Sequence, residues 1–443
     1  MYPGAWPRGT LPWIDNSLRR SLSRVLPLLT GTLWPASAYD RDGLPERVLQ
    51  FGSGMLLRAL CDAAIDSANR EGKRAGRIIV VQSTAEGASR ARALNAQDGL
   101  FTLVERGLSG GAAFERVGLI GAIARALSAD REWDAVRDVA TRPKLQVIIS
   151  NVSEAGFRVD APFPARLTDA LHARFAHAPD APPVFVIPTE LVPDNGPRLA
   201  AMVDELARKY DQTFRDWLNA RVRFCSSLVD RIVTAPPPDQ LLGHRDALLT
   251  VAEPYALWAI EGDPAELRAA FPIESATVVF APDITFYRER KLRLLNAVHT
   301  ATAPLAALAG VRTVREAIAH PLLGAFQKRL LFEEIIPATD IPADDARAFA
   351  HQVLERFANP WLEHEYRVIA TNQEEKFRIR VLPIIMRRPA ARLALAAAAH
   401  LTFTKASVDA LGEAARIPEF AAATTHWMAV LAERGVEEAL RCS

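Results

Sequence analysis

The first half of the chain alternates short apolar runs with longer stretches of helical spacing. RVLQF (47–51), RIIVV (77–81), LQVIIS (145–150) and VFVIP (184–188) are short, mostly apolar runs, and RIIVV is rich in β-branched residues. Such runs predict strands buried on both faces. LFTLVER (100–106) and FERVGLI (114–120) predict two further strands around the turn SGGA (109–112). Helical spacing fills 55–69, 163–176 and 197–210. Strand–helix alternation of this kind requires parallel pairing, so the first half is expected to be an α/β, Rossmann-like doubly wound sheet.

The pattern changes near Asp283. FYRERKLRLLNAVHTATAPLAALAG (286–310) reads as one long helix ended by Gly310. Further helices are expected around 313–319, 322–335, 343–356, 360–370, 386–399 and 425–440. Glycine usage supports the division, since 19 of the 23 glycines precede residue 263. Three segments are therefore expected: an N-terminal extension (1–44), a Rossmann-like dinucleotide-binding domain (45–282) and a mostly α-helical substrate and catalytic domain (283–443).

Composition narrows the function classes. With 443 residues, 49% hydrophobic and 24% charged, the chain can bury a sizeable core. A net charge of +1 provides no overall field for nucleic acid or an anionic membrane, and neither partner is expected. Cys61, Cys225 and Cys442 are far apart and form no CxxC, so no disulfide framework or zinc ribbon is expected. HExxH is absent, and no metal is expected in the site. No apolar run reaches the roughly 18 residues that span a bilayer, and the N-terminal stretch lacks a clean signal-peptide core. A cytoplasmic monomer or small homo-oligomer is the expectation.

Several strand ends carry candidate chemistry. In FGSGMLLRA (51–59), Gly52, Ser53, Gly54, Met55 and Arg58 lie between the first strand and the first helix. Glycines there let backbone N–H groups approach a pyrophosphate, although a plain structural turn has the same composition. The second strand ends in VVQSTAEG, with Gln82, Ser83 and Thr84 where NAD-binding folds usually place an acid, and Glu86 slightly late. No arginine follows closely enough in sequence to argue for a 2′-phosphate. In SNVSEAGF (150–157), Asn151, Ser153 and Glu154 could reach a nicotinamide or its ribose, or serve as turn formers and a helix cap. TELVPDNG (189–196) places Asn195 at another strand end, where it reads equally as a helix-start signal.

RKLRLLNAVH (290–299) raises a sharper question. At about 100° per residue, with Lys291 at zero, His299 falls near 80° and Asn296 near 140°. One α-helical face would then hold all three, as a pocket wall or as a wet surface. The stretch also lies where the glycine-rich half gives way to the helical half, and domain junctions commonly hold active sites.

Taken together and in this order, these motifs resemble the polyol-specific long-chain dehydrogenase/reductase (mannitol dehydrogenase) family. Its K-x4-N-x2-H signature matches Lys291, Asn296 and His299, preceded by GxGxxxRA at Gly52–Ala59. The likeness runs from about Pro45 to Pro383 and is strongest to the branch acting on sugar acids. Leu191 replaces an asparagine of the mannitol enzymes that helps polarise the reacting oxygen, which leaves a second oxyanion donor unassigned.

The resemblance implies an NAD-dependent, metal-independent hydride transfer on a small sugar-acid substrate. Lys291 would be the acid/base, Asn296 a donor to the developing oxyanion, and His299 an orienting group. Burial and the nearby Arg288, Arg290 and Arg293 would favour the neutral amine. Asp230 matches a position near the substrate, and Lys376 in EEKFRIRVLP a pocket position; Arg378 and Arg380 offer further cations for a carboxylate. The alternatives are another polyol or aldonate dehydrogenase of the same family, or a dinucleotide-binding protein that acts by interaction without catalysis.

Overall fold

The computed structural model describes residues 39–83, 87–234 and 246–443, which form two compact units. The first comprises residues up to 106 and 115–284, and the second comprises 107–114 and 285–443. Residues 1–38 of the expected extension, and Thr84 and Glu86 of VVQSTAEG, lie outside the described residues.

Thirteen strands are described, all beginning in the first unit: β1 (Glu46–Phe51), β2 (Arg77–Gln82), β3 (Phe101–Ser109), β4 (Ala112–Ile120), β5 (Ile123–Ser128), β6 (Val147–Ser150), β7 (Val184–Pro188), β8 (Val222–Phe224), β9 (Ser227–Asp230), β10 (Val233–Thr234), β11 (Thr250–Ala252), β12 (Leu257–Glu261) and β13 (Val278–Ala281) — apart from β4, whose first residues belong to the second unit with the hairpin tip. The main sheet has the order β5-β2-β1-β6-β7-β8, and every pair in it is parallel. Its apolar runs are sorted by pleat. Val48, Ile78, Val80 and Ile149 enter one core cluster, while Leu49, Phe51, Ile79, Val81 and Ile148 enter the other. Both faces are covered, as the unbroken apolar runs require. Two smaller sheets follow the orders β10-β11-β3-β4 and β13-β12-β9.

The chain leaves β1 for β2 and β5 on one side, then returns to β6, β7 and β8 on the other. Strand order therefore reverses between β1 and β6, and the crevice at their carboxyl ends is where doubly wound sheets bind ligands. Residues 39–44, grouped by the sequence with the extension, are tied into this unit. The buried Arg41 guanidinium donates to the carbonyls of Gly121, Asp98 and Ile123, at 2.9, 2.7 and 3.1 Å.

The second unit is helical. Its opening helix runs through Thr285–Arg290, Lys291–Asn296 and Ala297–Leu308. It ends as a Schellman turn: Gly310 has φ +67°, its N–H reaches Ala307 O, and Val311 N–H reaches Ala306 O. Against it packs the alanine-rich helix Ala391–Thr404, whose residues Leu393–Leu401 are all buried, because small side chains let the two backbones approach.

Several expected boundaries move. The stretch 360–370 yields only Tyr366–Ile369, and 425–440 divides into Pro418–Glu433 and Gly435–Cys442 at a glycine with φ +81°. The helix expected at 386–399 starts at Ala391, since Pro389 separates it from Leu382–Arg387.

Candidate active site

The glycine loop after β1 is shaped by its neighbours. Gly52 has φ +117°, and a Cβ there would stand 2.8 Å from the carbonyl oxygen of Asn151, the first residue after β6. Only glycine fits, because both the dihedral and the contact exclude a side chain. Gly54 differs. Its φ is −64°, a Cβ there would meet nothing within 4 Å, and it caps the Met55–Leu57 turn with no side-chain hydrogen bond and no acid in the first turn. The space beside Gly54 at the helix start is thus open.

Ser53 and Arg58 hold this loop from behind. Ser53 is buried, and its hydroxyl donates to Gln82 Oε1 at the end of β2, 2.5 Å away. Arg58 is also buried; it donates to Ser53 O at 2.5 Å and to Thr250 Oγ1 at 3.0 Å. Burial lowers its pKa to about 10, so the guanidinium remains charged at neutral pH. Arg58 therefore braces the loop from inside, and Met55 is half-buried at the helix start. Arg90, from the helix Ala88–Ala96, brings Nε within 3.3 Å of Ser53 Oγ. Sequence spacing indicated no such cation; the turn through Gly87 returns the chain to β2, and a side chain at 87 would collide with the Gln82 amide.

After β6, Asn151 donates to Thr189 O and Oγ1 at 3.1 and 3.0 Å. Ser153 takes the capping role: its hydroxyl accepts from Gly156 N–H at 3.2 Å. The buried Glu190, just past β7, accepts from Val152 N–H at 2.9 Å and from the Ser150 hydroxyl at 3.1 Å. Burial raises its carboxyl to about 7. Sequence analysis passed over this residue, since nothing in TELVPDNG marks a carboxyl as buried.

Asn195 is held by backbone groups. Its Nδ2 is shared among the carbonyls of Pro188, Glu190 and Ser227, at 3.1, 3.0 and 3.0 Å, and its Oδ1 accepts from Ser227 N–H at 2.9 Å. The buried amide ties the end of β7 to the start of β9. Asp230 closes β9 and is buried, while Leu191 is 69% exposed.

The Lys291–Asn296 segment is π-helical, with Ala297 N–H donating to Leu292 O. This revises the sequence geometry. An i→i+5 register sets residues five apart about one turn above each other, so Lys291 and Asn296 stack far more closely than an α-helix allows. Both are half-buried. Of the arginines expected beside Lys291, Arg293 pairs with Glu289 at 2.9 Å and Arg290 lies over the Phe349 ring, 4.5 Å from its centroid.

His299 is buried, with Nδ1 lacking a hydrogen-bond partner. Its ring lies 4.2 Å from Phe357 and 5.3 Å from His364, centroid to centroid. Burial, then the nearby His364, Arg356 and Arg380, push its pKa well below the usual histidine value, so the imidazole is neutral.

EEKFRIRVLP lies mostly on the helix Gln373–Arg380, and this sorts its cations. Lys376 and Arg380 are four apart and share the half-buried face, while Arg378 points outward and pairs with Glu375 at 3.8 Å, both about two-thirds exposed. A strand would put all three cations on one face, but the helix separates Arg378 from the other two. Lys376 donates to Ile369 O at 2.9 Å, and burial then Arg380 lower its pKa.

Comparison with known proteins places the chain. Residues 46–270 match the mannitol dehydrogenase Rossmann domain, and 283–442 match the mannitol dehydrogenase C-terminal domain. The chain belongs to the mannitol dehydrogenase family and is a dinucleotide-dependent oxidoreductase acting on CH–OH groups. It is 37% identical over 394 residues to an altronate oxidoreductase of Klebsiella pneumoniae subsp. pneumoniae, covering 82% of this chain and 81% of that one. An altronate oxidoreductase of Bacillus subtilis is 36% identical over 363 residues, covering 77% and 75%. Among solved structures, Pseudomonas fluorescens mannitol 2-dehydrogenase in ternary complex with NAD and D-mannitol shares the fold, with a TM-score of 0.72, 24% identity, and coverage of 95% of this chain and 98% of that one. A substrate-free D-sorbitol dehydrogenase does so with a TM-score of 0.81 at 20% identity, covering 96% and 99%. Among the described residues no helix is long and apolar enough to cross a membrane.

Proposed function

We propose that the protein interconverts D-altronate and D-tagaturonate with NAD(H), the reaction implied by the names of its relatives. The observation that carries the reading is the joint presence of the Lys291, Asn296 and His299 set with 36–37% identity to altronate oxidoreductases over more than three quarters of the chain. Dinucleotide binding falls to the first unit. Gly52 and Gly54 leave room for the pyrophosphate at the helix start, Ser53, Arg58 and Gln82 hold that loop in place, and Asn151 and Ser153 shape the neighbouring turn. The bound cofactor supplies or accepts the hydride.

Proton transfer falls to Lys291. Its amine takes the hydroxyl proton during oxidation and its ammonium returns one to the carbonyl oxygen during reduction. Asn296, one π-turn on, donates an amide N–H to the oxygen as charge develops there. The neutral His299 imidazole, with Nδ1 free of a protein partner, orients a substrate hydroxyl. Asp230 is the proposed acceptor for another hydroxyl, and Lys376 supplies positive charge for the carboxylate.

NAD is the proposed cofactor, while Arg90 beside Ser53 favours some tolerance for the 2′-phosphorylated form. Turnover on a panel of hexonates, pentonates and hexitols tests the substrate. Altronate should be oxidised far more efficiently than mannitol, and equal efficiency on the two would remove the sugar-acid assignment.

A further inference from the structure

The helix Gln373–Arg380 is fixed to the opening helix of its unit at both ends. Gln373 Nε2 donates to Thr300 O at 2.9 Å, and Arg380 NH1 reaches Thr300 Oγ1 at 3.2 Å. In return, Arg293 NH1 donates to the terminal carbonyls of Ile379 and Arg380, at 2.9 and 3.3 Å. Thr300 follows His299 directly, so this bracing sets the Arg380 guanidinium beside the K-x4-N-x2-H motif.

The charge at this place is one-sided. Lys376 and Arg380 share a helix face, and neither makes an ion pair among the described residues; their recorded partners are the Ile369 carbonyl and the Thr300 hydroxyl. His364 adds a second imidazole against His299. Arg356, from the helix Ala343–Phe357, acts on both histidines. Lys376 and Arg380 stand one helical turn apart, and two half-buried cations so placed repel one another and are poorly solvated. His299 Nδ1, buried and without a partner, is a further polar atom left unsatisfied at the same place. A ligand anion with neighbouring hydroxyls would relieve all of these together.

We propose that Arg380, with Lys376 one helical turn before it, holds the carboxylate of the substrate and sets the preference for sugar acids over neutral polyols. The inference rests on the sugar-acid reading above. A planar guanidinium suits this role better than an ammonium, since it offers two parallel N–H groups to the two carboxylate oxygens.

Arg380→Gln and Arg380→Lys test it, with circular dichroism and NADH binding to establish that each variant is folded. For Arg380→Gln, kcat/KM on altronate should fall about 10- to 100-fold, the usual weight of a charge-assisted contact, mostly through KM. The loss on a neutral hexitol should be several-fold smaller than on altronate, so that the acid-to-hexitol ratio of kcat/KM falls, and Arg380→Lys should keep part of the acid preference. An equal loss on acid and hexitol, or no loss on either, would overturn the proposal and leave Arg380 a packing residue on Thr300. If wild-type enzyme turns over hexitols but no sugar acid, the parent assignment has failed and the Arg380 proposal with it. If wild type prefers acids and Arg380→Gln retains that preference, only the Arg380 proposal has failed.

Discussion

Replacing Glu190 with glutamine isolates a buried carboxyl just past β7. The carboxyl is 4% exposed and accepts hydrogen bonds from Val152 N–H and the Ser150 hydroxyl, but no cation is among the groups that stabilise it. Burial outweighs those hydrogen bonds and raises its pKa from 4.5 to about 7. Because the folded value lies above the unfolded one, the folded state holds the proton more tightly. Its contribution to stability is complete below the unfolded value, declines as pH rises towards 7, and is flat beyond. At 1.36 kcal/mol per pKa unit, the decline amounts to about 3 kcal/mol. Glutamine keeps an acceptor for Val152 N–H but cannot ionise. Urea unfolding of both proteins at pH 5, 6, 7 and 8 gives the difference directly, and other titrating groups cancel in it. The variant should gain on wild type by about 2–3 kcal/mol between pH 5 and 8. Parallel stability curves would show that Glu190 is already ionised at pH 5 and that the burial argument is wrong.

Further outcomes concern His299 and the cofactor. The His299 imidazole should remain neutral at pH 6, where an ordinary histidine is largely protonated, and its proton resonances should show no titration between pH 8 and 6. Its depressed value also costs stability as pH falls below about 6.5, where the unfolded chain gains a proton that the folded one refuses. In steady-state kinetics, NADH should give a higher kcat/KM than NADPH, and Arg90→Ala should reduce efficiency with NADPH more than with NADH; the reverse order for either would refute that part of the account.

The main sheet was legible because parallel strands buried on both faces are mostly apolar, and the centres of β1, β2, β6 and β7 are. β5 was not, for IARALS sits at the sheet edge, where Arg125 can reach Glu46 and the apolar run is broken. The small strands β8 to β13 are two to five residues long and leave no periodic signal. In the site, residue types were easier to read than directions. Lys291, Asn296 and His299 do lie on one continuous helical run, but their relative angles depend on a π-register that α-periodicity does not encode. Arg380 was obscured by Arg378, because KFRIR alternates like a strand while its burial follows a helix. Asn195 looked available because sequence cannot show that three carbonyls already claim its amide. Arg90 and Glu190 owe their importance to contacts made by a turn and by burial, neither of which their local sequence announces.

The central claim is that Lys291 moves the proton, and single-turnover kinetics of Lys291→Ala test it most directly. Folding and NADH binding should stay close to wild type, since the glycine loop and its braces belong to the first unit. The chemical step should slow by about 10²- to 10⁴-fold, the usual contribution of a positioned acid–base group. A folded Lys291→Ala enzyme with an unchanged chemical rate would contradict the account and return Lys291 to an ordinary solvated helix face.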